Sequence, residues 1–373
     1  LTDFSETLPT EEPTTPEIPS GADPSAVKAA RRDLRRAEKR IRRAAKTAAA
    51  ADADPELPES TSPGLDPHDT LVEAGRKVLR FQFQQMRRNE EGTARGADIE
   101  ALHDMRVASR RMRAAFDIFA PAFAPKPMKR HLRGLRTVGR ALGTVRDLDV
   151  FMQKAERYLN DLPEAERGGL DPLLAAWGAQ REAGRAVLLK LFASSKYAAF
   201  QEDFAAFTTT PGQDAAKDQA AHDLVRDAAP LLIYTRLARV RAFEDGLDAA
   251  SIETLHALRI EFKKLRYAVE FFREVLGPEA RQVIADLKQM QDHLGDLNDA
   301  QVATQLLQAF LADWDQEETP TALTARPDPA GVLAYLTYQH RERHRLIVTF
   351  PEAWAHFCRS EFRQNLGLAI AAL

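Results

Sequence analysis

Two eighteen-residue stretches of this chain are near-copies of each other, and both have the spacing of a half-buried helix. Leu102 to Phe119 reads LHDMRVASRRMRAAFDIF and Leu255 to Phe272 reads LHALRIEFKKLRYAVEFF. They share L-H-x-[ML]-R-[VI]-x-x-[RK]-[RK]-[ML]-R-x-A-x-[DE]-x-F without a gap. The segments that follow correspond too: ALGTVRDLDV (Ala141 to Val150) matches HLGDLNDAQV (His293 to Val302), pairing Leu142 with Leu294, Gly143 with Gly295, Asp147 with Asp299 and Val150 with Val302. The offsets, 153 and 152 residues, differ by one. A chain built this way is expected to contain two copies of one helical unit, about 66–210 and 214–373.

From about Asp66 onward the apolar spacing is helical almost throughout, and no alternating strand pattern bounded by Asn-Gly or Asp-Gly turns occurs, so the expected fold is all-α. Breaks are expected at Pro121 to Pro127, Leu162 to Pro163, Thr208 to Gly212, Gly277 to Pro278, Thr319 to Pro329 and Pro351, where Pro or Gly interrupts the pattern. Ahead of this region, residues 1–65 read as a disordered linker rich in Pro, Thr, Glu and Ser, interrupted by a basic helix at about 25–48. Lys28 to Lys46 carries ten Lys/Arg against two Asp/Glu on a narrow apolar stripe. Such a helix is either a solvated linker or an independent contact for RNA, DNA or an acidic partner.

At about 100° per residue, Met105, Ala108, Met112, Phe116 and Phe119 fall on one side of the first motif, and His103, Arg106, Arg110 and Arg113 on the other. The second copy repeats this, with Leu258, Leu265, Val269 and Phe272 opposite His256, Arg259, Lys263 and Arg266. Each basic row runs about 15 Å along its helix. The segment after the first motif adds Arg133, Arg136 and Arg140 on one face. After the second motif only Lys288 matches Arg136, because Ala285 and Asp292 stand where Arg133 and Arg140 would be. Between Leu102 and Lys154 twelve Lys/Arg face four Asp/Glu, inside a chain of net charge -3. A solvated face usually interleaves Glu with Lys at i,i+4; the rows lack such acidic partners and read as an anion site. Arg236, Arg239 and Arg241, and Arg341, Arg343 and Arg345, are weaker candidates, equally readable as solvated surface.

Guanidinium matches phosphate oxygens bidentately and ammonium acts as a point charge, so mixed rows suit a phosphate-rich ligand. Single-stranded nucleic acid would want aromatic platforms among the cations. The first row has none and the second only Tyr267, so a base-free phosphate polymer fits better than RNA or DNA. A competing reading is metal chelation, since His103 and His256 are equivalent and His340 with His344 has i,i+4 spacing. The surrounding arginines argue against a divalent cation and favour histidine as a hydrogen-bond donor to an oxyanion.

The duplicated L-H-x-[ML]-R-x-x-x-[RK]-[RK]-[ML]-R motif resembles the CHAD family, the histidine-marked all-helical domain of bacteria and archaea, over about 66–373. The resemblance implies two four-helix bundles related by a pseudo-two-fold axis, with a basic central channel that binds inorganic polyphosphate. By that resemblance His103, Arg106, Arg110, Arg111, Arg113, His256, Arg259, Lys263, Lys264 and Arg266 line the channel, with Arg133, Arg136 and Arg140 as further basic positions. CHAD domains are often fused to a triphosphate tunnel domain, whose E-x-E-x-K signature is absent here.

No P-loop, no nucleophile with a partner base and no paired carboxylates with metal-site spacing are found, so no cofactor is assigned and the expected role is that of a binding module or one that targets polyphosphate granules. A metal-dependent enzyme acting on polyphosphate or phosphoesters, or the partner domain of one, is the alternative. The sequence begins on Leu1 rather than Met, which leaves room for a catalytic domain upstream. No run of 18 apolar residues and no signal-peptide pattern occurs, and the expected location is cytoplasmic. The single cysteine, Cys358, lies in a helical pattern and reads as a packed thiol.

Overall fold

The computed structural model describes residues 62–373 apart from 97, 213, 218–220 and 317–327. The expected linker and basic helix of residues 1–61 lie outside the described residues. The fold is all-α, and among the described residues there is no strand. Two isolated bridges, Thr70 with Leu224 and Phe123 with Ala215, tie loops together.

The first group of helices comprises α1 (Leu71–Arg88), the short α2 (Glu90–Arg95), α3 (Ile99–Ile118), α4 (Pro125–Asn160), α5 (Asp171–Phe192) and α6 (Ser195–Thr209). The second comprises α7 (Val225–Arg241), α8 (Ile252–Phe271), α9 (Ala280–Gln316), α10 (Ala330–Phe357) and α11 (Ser360–Ile370). Both motif helices start on a side-chain cap. Asp98 accepts from the Glu100 amide (2.8 Å) ahead of α3, and Ser251 from the Thr254 amide (3.2 Å) ahead of α8. Each is followed by the longest helix of its group, 36 residues in α4 and 37 in α9.

In the first group α3 packs against α1 and α4, and α4 against α5; in the second α8 packs against α7 and α9, and α9 against α10 and α11. The motif helices α3 and α8 contact each other where the groups meet. The apolar stripes expected from the sequence are the buried ones: Met105, Met112, Phe116 and Phe119 on one side and Leu258, Leu265, Val269 and Phe272 on the other are all at most 1% exposed. The Phe119 ring lies 5.4 Å from that of Phe272, so one apolar core runs through both groups. A smaller cluster forms farther along the long helices, where Phe151, Ala155 and Trp177 meet Ala303, Leu307 and Tyr335. Both clusters draw on both groups, and the described residues form one compact unit.

One expected break is absent. Pro351 lies inside α10, which continues to Phe357. Proline there removes the amide that would bond the Ile347 carbonyl. Ile347 is 38% exposed, at a surface where water can take that carbonyl's bond. Breaks not foreseen fall at 193–194 and 242–251, where no proline marks the chain.

Candidate anion-binding cleft

Where α3 and α8 lie side by side, their basic faces open into a cleft of about 660 Å³, walled by α4, α9 and Gln180 from the middle of α5. His103, Arg106, Arg110 and Arg113 enter from α3, Arg146 from α4, and Arg259 and Lys263 from α8. Seven basic side chains on three helices thus face one space. Asp147, Asn298 and Asp299 reach it from α4 and α9.

The cations are not equivalently paired. Arg106 Nη2 donates to Asp147 Oδ1 at 2.8 Å, so this position of the row does have an acidic partner, contrary to the reading from sequence. It was invisible there because the carboxylate comes from 41 residues downstream. Among the described residues no carboxylate lies within ion-pair distance of Arg110, Arg113, Arg259 or Lys263. The Nε atoms of Arg110, Arg146 and Arg259, and Nη1 of Arg146, are buried without a hydrogen-bond partner. Orphaned charged donors are costly in a protein interior, by several kcal/mol for a charge left wholly unpaired. An anion in the cleft would satisfy them.

The titration of the cleft reflects that crowding. Burial first, then Arg110, Arg259, Arg113 and Arg106, push the Lys263 ammonium down to about 7. Burial, with Arg146 next, also lowers His103, which is therefore neutral at physiological pH and able to donate one N–H to an oxyanion without adding charge. Burial likewise lowers Arg113, with Arg106 and Arg136 adding to it, and Arg259, where the nearby Asp299 opposes it. A bound anion reverses the Lys263 shift. The free protein loses that charge as pH rises through about 7, and the complex keeps it to higher pH. Anion binding above neutrality is therefore expected to take up about one proton and to weaken by up to about tenfold per pH unit. Titration calorimetry in buffers of different ionisation enthalpy counts that proton, and Lys263→Arg is expected to abolish it.

Other residues expected at the site lie elsewhere. Arg111 Nη2 donates to Glu270 at 2.6 Å, and Arg266 donates to the same carboxylate and to Gln291 at 2.8 Å. Lys264 holds Glu261 at 2.6 Å. His256 contacts Asn298 Oδ1 at 2.8 Å, at the edge of the cleft. Arg133, Arg136 and Arg140 are exposed on α4 outside the cleft lining, and Lys288 is exposed on α9, 4.0 Å from Asp292. Arg113 and Arg266 are equivalent in sequence but differ in position. Glu270 takes Arg266, whereas its counterpart Asp117 is held by Arg236 at 2.8 Å, leaving Arg113 to the cleft. Of the weaker candidates, Arg241, Arg343 and Arg345 hold Glu244, Gln301 and Glu342. Cys358 is half-buried against Arg241.

Arg146 and Asn298 were missed as lining residues. They stand at equivalent places, one residue before the paired Asp147 and Asp299, and the second matching segment was the available signal. The same segment contains Gly143, where an added Cβ would collide with the Arg106 guanidinium; at Gly295 nothing lies within 4 Å. Gly143→Ala is expected to displace Arg106 from Asp147 and alter anion affinity. Gly295→Ala is expected to raise stability by about 0.5–1 kcal/mol through helix propensity alone. Thermal melts and anion titrations of the two variants separate these effects. Among the described residues no group of three or more His, Cys, Asp or Glu side chains is arranged to hold a metal ion, and no helix is long and apolar enough to cross a membrane.

The CHAD domain family model matches residues 77–308. The chain belongs to the CHAD family. The crystal structure of the CHAD domain from the plant Ricinus communis superposes with a TM-score of 0.61 at 25% identity, covering 78% of this chain and 93% of that one. PptA from Streptomyces chartreusis shares the fold, with a TM-score of 0.53 at 16% identity over 77% of this chain and 100% of its own. Among curated proteins, the uncharacterized proteins MT2285 and Rv2226 of two Mycobacterium tuberculosis strains are each 28% identical over 281 residues, 71% of this chain. The chain spans about half the length of these two relatives. The CHAD match takes in both motif helices and the cleft between them.

Proposed function

We propose that this CHAD protein binds inorganic polyphosphate in the cleft between α3 and α8, as a binding or granule-targeting module without chemistry of its own. The observation that carries the reading is the set Arg110, Arg113, Arg259 and Lys263, gathered around one space with no ion-pair partner among the described residues, and with buried donors of Arg110 and Arg259 left over. Their mutual repulsion and burial cost are offset when a chain of phosphates supplies the counter-charge along about 15 Å of each helix. The association of the CHAD family with polyphosphate supports the same ligand. Nucleic acid fits less well, because Phe151, the one Phe, Tyr or Trp among the described lining residues, is 7% exposed and offers no face for a base.

The test is a titration of the full chain with polyphosphates of increasing length, and with RNA and DNA, at two salt concentrations. Affinity is expected to rise from tripolyphosphate to long chains and to exceed that for nucleic acid of equal charge. With about four phosphate contacts, it should fall roughly as the third power of salt concentration. Equal affinity for RNA, or no gain with chain length, refutes the reading. Phosphate release on adding Mg²⁺ or Mn²⁺ would mark an enzyme instead.

A further inference from the structure

One arginine and one aspartate recur at matching positions on the two sides of the cleft, yet one of the arginines is closed and the other open. On the first side Arg106 is paired with Asp147 at 2.8 Å. On the second side the matching pair is Arg259 and Asp299, which both line the cleft and are electrostatically coupled, but form no ion pair. The difference lies in what else touches the aspartate. Lys154, on the part of α4 beyond the cleft, places Nζ 2.8 Å from Asp299 Oδ2 and 3.4 Å from Asp296 Oδ1. The sequence offset that pairs Asp147 with Asp299 puts Leu306 opposite Lys154, so Asp147 has no corresponding lysine.

We propose that Lys154 is a positioning residue of the anion cleft: by holding Asp299 it keeps Arg259 open for ligand. The inference rests on the polyphosphate reading for its affinity readout, and on nothing else from it. A carboxylate within reach of a guanidinium captures it, as Asp147 captures Arg106, and a captured arginine must exchange one partner for another when a phosphate arrives. Lys154 pre-empts that capture. It comes from the first group of helices and acts on the second, so it also fixes α4 against α9 where the cleft ends.

The experiment is a cycle of Lys154→Met, Asp299→Asn and the double variant in the full chain, with inorganic polyphosphate as probe. Lys154→Met is expected to weaken binding about tenfold, the equivalent of one charge-assisted hydrogen bond exchanged. Asp299→Asn alone is expected to bind at least as tightly as the parent, and the double variant within about twofold of Asp299→Asn. If Lys154 acted only through its own charge, removing it would cost as much or more in the Asp299→Asn background, because there the ammonium is freed from Asp299; that result overturns the proposal. A crystal structure of Lys154→Met gives a second, ligand-free readout. Arg259 within about 3 Å of Asp299 supports the proposal, and Arg259 still unpaired refutes it. Should the parent protein not bind polyphosphate at all, the functional reading fails while the crystal structure still decides the role of Lys154.

Discussion

The double reversal Arg110→Glu, Lys263→Glu is expected to weaken polyphosphate binding by about a thousandfold or more while leaving the protein folded. Each side chain is replaced by one that repels the ligand, so two charge-assisted contacts worth roughly 1.5–3 kcal/mol each are lost and repulsion is added. Neither residue has an ion-pair partner to strand, and Lys263 is destabilised where it stands by Arg110, Arg259, Arg113 and Arg106. The new carboxylates would find Arg113 and Arg259 beside them, so the melting temperature is expected to hold or rise. The control is Arg133→Glu, Arg136→Glu, the same change of charge on the exposed face of α4. Neither residue lines the cleft, although Arg136 is near enough to Arg113 to lower it, so that pair is expected to cost about tenfold, far less than the reversal inside the cleft. If both pairs lose affinity equally, the protein binds polyanions through its net field rather than in the cleft.

The helix content, the buried stripes and the basic faces were legible because each follows from spacing within one helix. Met105 and Phe116 are buried, and His103, Arg106, Arg110 and Arg113 share a cleft, as 3.6-residue periodicity requires. What was not legible is which cations stay free: the acids on Arg106 and Arg111 come from other helices, whereas the partner of Arg266, Glu270, stands at i+4 on its own helix and was there to be read. Arg111 and Arg266 belong to rows with basic neighbours, yet both converge on Glu270. Arg111 is one position round the helix from Arg110, about 100°, enough to turn it away from the cleft and towards α8. Arg146 carried no row to announce it, being a lone arginine ahead of Asp147. Pro351 shows a local rule overridden, because the helix on both sides of it is held by packing of Leu346, Phe350 and Phe357 in the core.

Glu270→Ala is expected to be the most destabilising of these substitutions, by about 3–5 kcal/mol, without a direct effect on the cleft. Its carboxylate, 11% exposed, receives Arg111 Nη2 from α3 at 2.6 Å and Arg266 from its own helix. Both guanidinium groups also sit over the Tyr267 ring, at 5.7 and 5.1 Å, and that residue is 1% exposed. Deleting the acid leaves two half-buried cations facing each other with no counter-charge, and cuts a charged link between the two groups of helices. A loss of that size lowers the melting temperature by on the order of 10 °C. Glu270→Gln keeps one acceptor and is expected to lose less. Adding Arg111→Met to Glu270→Ala removes one stranded charge and is expected to recover part of the loss, since an apolar replacement of a buried pair is often neutral. Polyphosphate affinity, measured well below the melting transition, is expected to change less than about threefold in Glu270→Ala, because Arg111 and Arg266 do not line the cleft. A tenfold gain of affinity would instead put those two arginines, freed from Glu270, on the ligand.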